Sequence, residues 1–467
     1  MKTRFFFALS LCLALAGSLT FRQLSAQMQS RPDENENISR STEVDTQPVQ
    51  QTEDSTAARF DKLIEKAAVN GSSRVIVGLR SEFRPEGGLS AKSQARQRSA
   101  IREAQNDLLN ELSDHYVAEI KNFDFIPFVA FEADAAALEK MKNSPLVAYV
   151  QEDVAEPPTL TESLALIGAS GGASNGFSGS GQTVAVLDTG VDKTHLYFSG
   201  GKVVSEACYS TTAGTDPNSG SSVSLCPSGA ASSTAANSGL NCDVAVNGCF
   251  HGTHVAGIAA GKYTAGNQYG VAKDASVIAV QVFSRFNNAA NCSGGAPCVL
   301  SYVSDQIKGL ERVYALRSTY NIAAVNMSLG GGSNAGFCDG SEAARKAAID
   351  NLRSAGIATV ISSGNNGFTT SMGAPGCIST AVSVGSTGDG SSGSTSNAVS
   401  SFSNSSSTLN LLAPGAVITS AYPGNLLAGA SGTSMAAPHV AGAWAVLKQQ
   451  NPNATVSDIL TALTSTG

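Results

Sequence analysis

Charge is scarce in this sequence and is not basic. Of 467 residues only 14% are charged, and 30 Lys+Arg face 37 Asp+Glu. Without a basic excess the electrostatic footprint for nucleic acid is missing, so no nucleic-acid partner is expected. No stretch reaches the length of apolar chain that a membrane-spanning helix needs, which leaves no membrane partner either. The nine cysteines include no C-x-x-C pair and histidines number only five, so the case for a zinc site is weak and no metal ligands are assigned.

What is present divides the chain. Residues 1–158 carry 18 Lys+Arg and 23 Asp+Glu, whereas the longer remainder carries 12 and 14. A charge-rich segment therefore gives way near 158 to one rich in Gly, Ser and Ala. Met1-Lys-Thr-Arg4 followed by the apolar run Phe5 to Ala16 has the charged start and short apolar core of a secretory signal, assigned to residues 1–26. Cys12 leaves with it. The other eight (Cys208, Cys226, Cys242, Cys249, Cys292, Cys298, Cys338 and Cys377) are an even set that predicts disulfides in an oxidising, extracellular or periplasmic location. Eight cysteines allow 105 connectivities; pairing of sequence neighbours is the favoured one.

Residues 27–58 are acidic and nearly devoid of large apolar side chains, the composition of a disordered linker. From 59 to 158 a small domain is expected. Strand-like Arg74 to Arg80, Tyr116 to Phe123, Phe125 to Phe131 and Leu146 to Val150 alternate with helices over Ala91 to Leu112 and Asp134 to Lys142. That is the β-α-β-β-α-β order of an α+β ferredoxin-like fold. Its tail, Gln151 to Pro158, reads as an exposed extended linker. In residues 159–467 apolar strands (Val184 to Asp188, Val277 to Phe283, Ile322 to Met327, Ile357 to Ser362) alternate with helices (His251 to Ala260, Ser301 to Arg317, Glu342 to Ala355). This alternation predicts an α/β, doubly wound, mainly parallel sheet, with its site at the carboxyl ends of the strands. Val203 to Phe250 reads as a Cys-containing surface insertion, and Thr455-Val-Ser-Asp458 has capping-box spacing.

Four stretches carry possible chemistry, and each has a plain structural alternative. Ser434 in Gly432-Thr-Ser-Met-Ala-Ala-Pro-His-Val-Ala-Gly442 is either a helix N-cap or a nucleophile. Asp188 ends a buried strand but also opens an Asp-Thr-Gly turn. His251 and His254 lie three apart at a helix start, without the acid and the i,i+4 spacing of a zinc protease. Asn365 in Ser362-Ser-Gly-Asn-Asn-Gly367 is an amide at the end of a strand or simply part of a turn. Gly172-Ala-Ser-Asn-Gly176 fits G-x-S-x-G, yet no strand precedes it and no helix follows, so it reads as a loop.

Together Val184-Ala-Val-Leu-Asp-Thr-Gly190, His251-Gly-Thr-His-Val-Ala-Gly257 and the Ser434 motif, in the order Asp, His, Ser, resemble the subtilases, the subtilisin-like serine proteases. The resemblance implies Ser434 as nucleophile, His251 as general base, Asp188 as its orienting carboxylate and the Asn365 amide as an oxyanion donor, with His439 structural. It implies that Ser328, Leu329 and Gly330, with Ser363 and Gly364, border the substrate, and that the pocket before the scissile bond favours large apolar residues. The 59–158 domain resembles the family's inhibitory propeptide, with Val147 to Asp153 matching its end. Self-cleavage is then expected between about Glu156 and Glu162, most suitably after Leu160. No cofactor is assigned. A structural calcium is possible, although Gly261 to Gly270, where many members carry a calcium loop, lacks an acid. The chain ends soon after the serine helix, where members usually continue, as a truncated sequence or a short domain would. The expected protein is a monomeric, secreted, self-processing endopeptidase acting on proteins or peptides and bound by its own propeptide. The alternatives are a catalytically silent binding protein of the same fold, or an esterase.

Overall fold

The computed structural model describes residues 53–156, 176–216, 220–292, 295–390 and 394–466. The signal segment, most of the acidic linker, the expected self-cleavage stretch and most of the G-x-S-x-G loop lie outside them.

A helix, α1 (Glu53–Asn70), precedes β1 (Ser73–Leu79), α2 (Ala91–Glu111), β2 (Val117–Asn122), β3 (Phe128–Ala133), α3 (Ala135–Lys142) and β4 (Val147–Glu152). Helix thus begins inside the stretch expected to be a linker. Phe60, Leu63 and Ala67 give α1 a buried face whose apolar residues are too few to stand out against the acidic residues before it. The strands form an antiparallel sheet in the order β2-β3-β1-β4, the ferredoxin-like arrangement. Its central strands β1 and β3 are buried on both faces, whereas the edge strand β2 is half-buried to exposed. Val75 and Val77 pack with Leu108 and Leu138 of the local helices, while Ile76, Phe128 and Tyr149 join the large core beyond. The third strand begins at Phe128, not Phe125, since Phe125 leaves the sheet to stack edge-on against Tyr314 at 5.2 Å.

The tail of this domain is not an exposed linker. Asp153 is buried, and β5 (Ala155–Glu156) pairs with a strand of the larger part.

In that larger part the elements are β6 (Thr183–Asp188), β7 (Val203–Tyr209), β8 (Ala213–Asp216), β9 (Gly220–Ser224), β10 (Ser232–Ser233), α4 (His251–Ala260), β11 (Lys262–Tyr263) and β12 (Gln268–Tyr269). They continue through β13 (Ser276–Gln281), β14 (Ser284–Phe286), β15 (Cys298–Tyr302), α5 (Val303–Leu316), β16 (Ile322–Met327), β17 (Gly331–Asn334), α6 (Ala343–Ser354) and β18 (Ala358–Ser362). The last are β19 (Met372–Ala374), β20 (Val382–Gly388), β21 (Leu411–Ala416), β22 (Ile418–Tyr422), β23 (Leu426–Ala430), α7 (Thr433–Gln450) and α8 (Val456–Thr466). Eight strands make one sheet in the order β10-β7-β13-β6-β16-β18-β20-β21, parallel except for the two-residue β10.

One face of this sheet packs on α5, α6 and the small domain; the other packs on α4 and α7. Strands covered on both faces become continuous apolar runs, which is why β6, β13, β16 and β18 stand out in the sequence. Strand β7 does not. It was expected to open a surface insertion, but it sits near the sheet edge, where Val203 to Glu206 stay half-buried, so Ser205 and Glu206 interrupt its apolar run. The insertion proper begins after Tyr209. Similarly, the helix expected from Ser301 starts at Val303, because Cys298 to Tyr302 is drawn into β15.

Four disulfides, Cys208–Cys226, Cys242–Cys249, Cys292–Cys298 and Cys338–Cys377, join cysteines adjacent in sequence, as favoured above. Thr455 and Asp458 form the expected reciprocal cap of α8, each backbone N–H donating to the other's side chain at 2.8 and 3.1 Å. The single tryptophan, Trp444, is fully buried on α7; its truncation to alanine would cost about 3–5 kcal/mol. Among the described residues no helix is long and apolar enough to cross a membrane.

Candidate active site

The strand order reverses across β6, whose neighbours are β13 on one side and β16 on the other. A crevice is expected at the carboxyl end of such a strand, and Asp188 is its last residue. The Asp188 carboxylate is fully buried. Its Oδ1 accepts from the Thr189 N–H at 2.7 Å and from His251 Nδ1 at 2.7 Å. The Thr189 hydroxyl donates to the Cys249 carbonyl at 3.3 Å and accepts from the Gly252 N–H at 2.9 Å, fixing the chain on both sides of His251. Gly252 makes this approach possible, since a Cβ there would lie 2.2 Å from the Gly190 carbonyl oxygen. His251 is the first residue of α4 and is itself buried.

Ser434 arrives from the other direction, as the second residue of α7. The N-cap is Gly432 and no side chain caps this helix, so the capping alternative for Ser434 does not hold. Its Oγ donates to the Ser328 carbonyl at 3.0 Å. Asn326 of β16 pairs with Val186 of β6, which brings Ser328 to the same sheet edge as Asp188. Asn365, after β18, accepts through Oδ1 from both the N–H and the hydroxyl of Thr433, at 2.8 and 2.9 Å. With Oδ1 so committed, the amide nitrogen is the end left for a ligand.

The loop on either side of Asn365 is held by a residue that the sequence does not single out. Asn404, fully buried, accepts through Oδ1 from the N–H groups of Asn366 and Phe368 at 2.9 and 3.1 Å and donates to the Ser363 carbonyl at 3.2 Å. Gly364, with φ +104°, is forced by the same contact: a Cβ there would stand 2.4 Å from Asn404 Nδ2. A buried Asn in a Ser/Asn-rich loop has no periodic signal, so local pattern does not mark it.

Of the residues expected to border the substrate, Ser328, Leu329 and Ser363 are fully buried. Ser328 Oγ donates to the Ser434 carbonyl at 2.6 Å and Ser363 Oγ to the Asn404 carbonyl at 2.8 Å, while Leu329 belongs to the core. A Cβ on Gly330 would meet the Ala374 carbonyl at 2.4 Å, and the Gly364 N–H is taken by Thr433 Oγ1 at 3.1 Å. What this edge offers a ligand is therefore backbone. A second edge was missed by the sequence reading: Ser301 and Tyr302 of β15 pair antiparallel with Glu156 and Ala155 of the small domain's tail.

The other two histidines of these motifs are structural. His254 Nε2 bonds to the Ala428 carbonyl at 3.0 Å and His439 Nδ1 to the Met435 carbonyl at 2.6 Å; burial pushes each ring down from 6.5 to about 4.

A model of the subtilase family matches residues 179–467. The chain belongs to the subtilase family. Curated relatives include subtilisin E of Bacillus subtilis (strain 168), 29% identical over 352 residues, which are 74% of this chain and 77% of that protein. An alkaline protease of Alkalihalobacillus alcalophilus is 30% identical with the same coverage, and the M-protease of Shouchella clausii (strain KSM-K16) is 31% identical over 75% of this chain and 77% of its own length. Among solved structures, a cold adapted subtilisin-like serine proteinase is 31% identical, with a TM-score of 0.42, over 62% of this chain and 83% of that one.

In this subtilase residues 261–270, for which a calcium loop was an open expectation, carry the β11–β12 hairpin, in which Lys262 pairs with Tyr269 and Tyr263 with Gln268. Residues 261–270 hold no carboxylate, Lys262 stands at the hairpin's foot, and no group of three or more acidic, His or Cys side chains suited to a metal occurs among the described residues.

Proposed function

We propose that this subtilase is a secreted, self-processing serine endopeptidase working through Ser434, His251 and Asp188. The observation that carries the reading is the buried 2.7 Å bond between His251 Nδ1 and Asp188 Oδ1. A carboxylate only accepts, so the Nδ1 proton stays between them and Nε2 becomes the basic nitrogen of the neutral ring. In the proposed cycle Ser434 Oγ attacks the scissile carbonyl as its proton passes to His251 Nε2. The Asn365 amide and the Ser434 N–H at the start of α7 receive the oxyanion, and the imidazolium, stabilised by Asp188, protonates the departing amine. Water then releases the acyl group by the same route. The side-chain amide is aimed before reaction by its two bonds from Thr433, which favours stabilisation of the transition state over the ground state.

Substrate would lie as an added strand against β15 and the backbone of Ser328 to Gly330, with broad specificity and a large apolar residue before the cut. The pairing of Ala155 and Glu156 with β15 supports an inhibitory role for residues 59–158, whose tail lies on that edge. A hydrogen bond and an ion pair support it too: Asp153 accepts from the Ser304 N–H at 2.8 Å, and Lys121 donates to Asp305 at 2.5 Å. Four disulfides agree with an oxidising destination, and a monomer acting on protein or peptide substrates is the simplest form consistent with this arrangement.

Expression of the wild type and of Ser434→Ala tests the assignment. The wild type should cut itself between Glu156 and Glu162 and hydrolyse peptides. The variant should remain uncut and inert; self-cleavage by it would refute the nucleophile.

A further inference from the structure

A cavity of about 560 Å³ opens where the start of β7, the β11–β12 hairpin and the turn before β13 meet, lined by Lys202, Lys262, Tyr263, Lys273 and Asp274 with Leu196 at its edge. Its volume falls in the range of small-molecule sites. Its charge is opposite to that of the chain as a whole, which is −7. Three ammonium groups face one carboxylate, and both oxygens of that carboxylate are used. Lys262 donates to Asp274 Oδ1 at 2.5 Å and Lys273 to Oδ2 at 2.8 Å, and together they hold the Asp274 carboxyl well below the usual range.

Among the described residues Lys202 has no carboxylate of its own. Its Nζ donates to the carbonyls of Lys273 and Ala275, at 2.7 and 2.6 Å, which fixes the ammonium at the cavity wall and leaves one of its three donors uncommitted by these bonds. Burial pushes this amine down to about 8, with Asp274 opposing the shift and Lys262 and Lys273 reinforcing it. Two net positive charges, one of them held rigidly and partly out of water, repel a cation and attract an anion.

We propose that this cavity, independent of the proteolytic site, binds a small polyanion of the phosphate class, such as tripolyphosphate, and so ties β7 to the hairpin. The pocket exceeds the size of a single phosphate, and chain-like oxyanions present several oxygens to Lys202, Lys262 and Lys273 at once. Binding should also draw a proton onto Lys202 above pH 8, since a bound anion favours the ammonium.

The test is calorimetric titration of sodium tripolyphosphate into the metal-stripped full chain at pH 8.5 in two buffers of different ionisation enthalpy, at fixed ionic strength, with melting curves alongside. The expected result is saturable binding with proton uptake, a rise of several degrees in Tm, and loss of at least tenfold in affinity in Lys202→Met. Lys262→Gln, at an exposed position, should weaken binding severalfold. Absence of binding, or equal binding by wild type and both variants, would overturn the proposal. Stabilisation by calcium chloride that Lys202→Met leaves unchanged would overturn the assignment of this place to an anion.

Discussion

The hydroxyl of Ser328 donates to the carbonyl oxygen of Ser434 across 2.6 Å, while the hydroxyl of Ser434 donates back to the carbonyl of Ser328 at 3.0 Å. The first bond has a cause in the sequence. In an α-helix the Ser434 carbonyl would accept from the N–H four residues on, but that residue is Pro438, which has none. Ser328 supplies the missing donor and so fixes the start of α7 to the edge of the sheet.

Ser328→Ala should therefore leave a buried carbonyl unpaired, at a cost of about 1–3 kcal/mol, and let the first turn of α7 shift. Urea unfolding should show the loss, and kcat should fall while KM changes little. A stability loss with unchanged kcat would mean that the bond serves only the fold.

Asn365→Leu should lower kcat by about 10²–10³ with little change in KM, a magnitude taken from a subtilisin oxyanion amide. Asn404→Ala should lower kcat through the same amide by freeing residues 363–368. The double variant should then lose less than the two effects combined; strict additivity in a double-mutant cycle would show that Asn404 acts elsewhere.

Acid should weaken the fold through His254 and His439. Both rings titrate at about 4 in the folded chain against 6.5 when free, so the folded state holds them neutral. Their contribution is fully present above pH 6.5 and is lost as pH falls from 6.5 towards 4, on the order of 3 kcal/mol for each ring. Denaturant midpoints measured from pH 7 to pH 4 should fall across that window, and less steeply in His439→Gln.

Asp153→Ala should strip Arg74 of its buried partner, 3.2 Å away, and remove the acceptor for the Ser304 N–H at the head of α5. Breaking a buried pair from one side costs about 3–5 kcal/mol. The change should appear as earlier unfolding of the small domain by hydrogen exchange, with the rest of the chain little affected.

Removal of Cys338–Cys377 by paired alanines should cost more than removal of Cys292–Cys298, because the sequence separations closed are 39 and 6 residues. Chain entropy alone gives about 4 and about 2 kcal/mol. Thermal unfolding of the two double variants checks the order.

Much of this was legible in the sequence. Doubly covered strands such as Val184 to Asp188 are continuous apolar runs, and helix stops such as Gly261 are local chemistry, so the parallel sheet and the Asp188, His251 and Ser434 stretches could be placed without coordinates. Disulfide connectivity was not deducible from the sequence, although the preference for sequence neighbours agrees with the four pairs found. Local pattern failed wherever burial came from a distant part of the chain. Strand β7 lies near an edge and keeps polar residues, the tail at Ala155 and Glu156 is ordered only by β15, and α1 hides its apolar face behind acidic residues. Nor does any one stretch decide what Ser434 does. Its residue type fits a cap and a nucleophile equally; only the tertiary structure puts Gly432 at the cap, Asn365 on Thr433 and Ser328 on Ser434, because hydrogen bonds between residues about 70 to 100 apart have no trace in local periodicity.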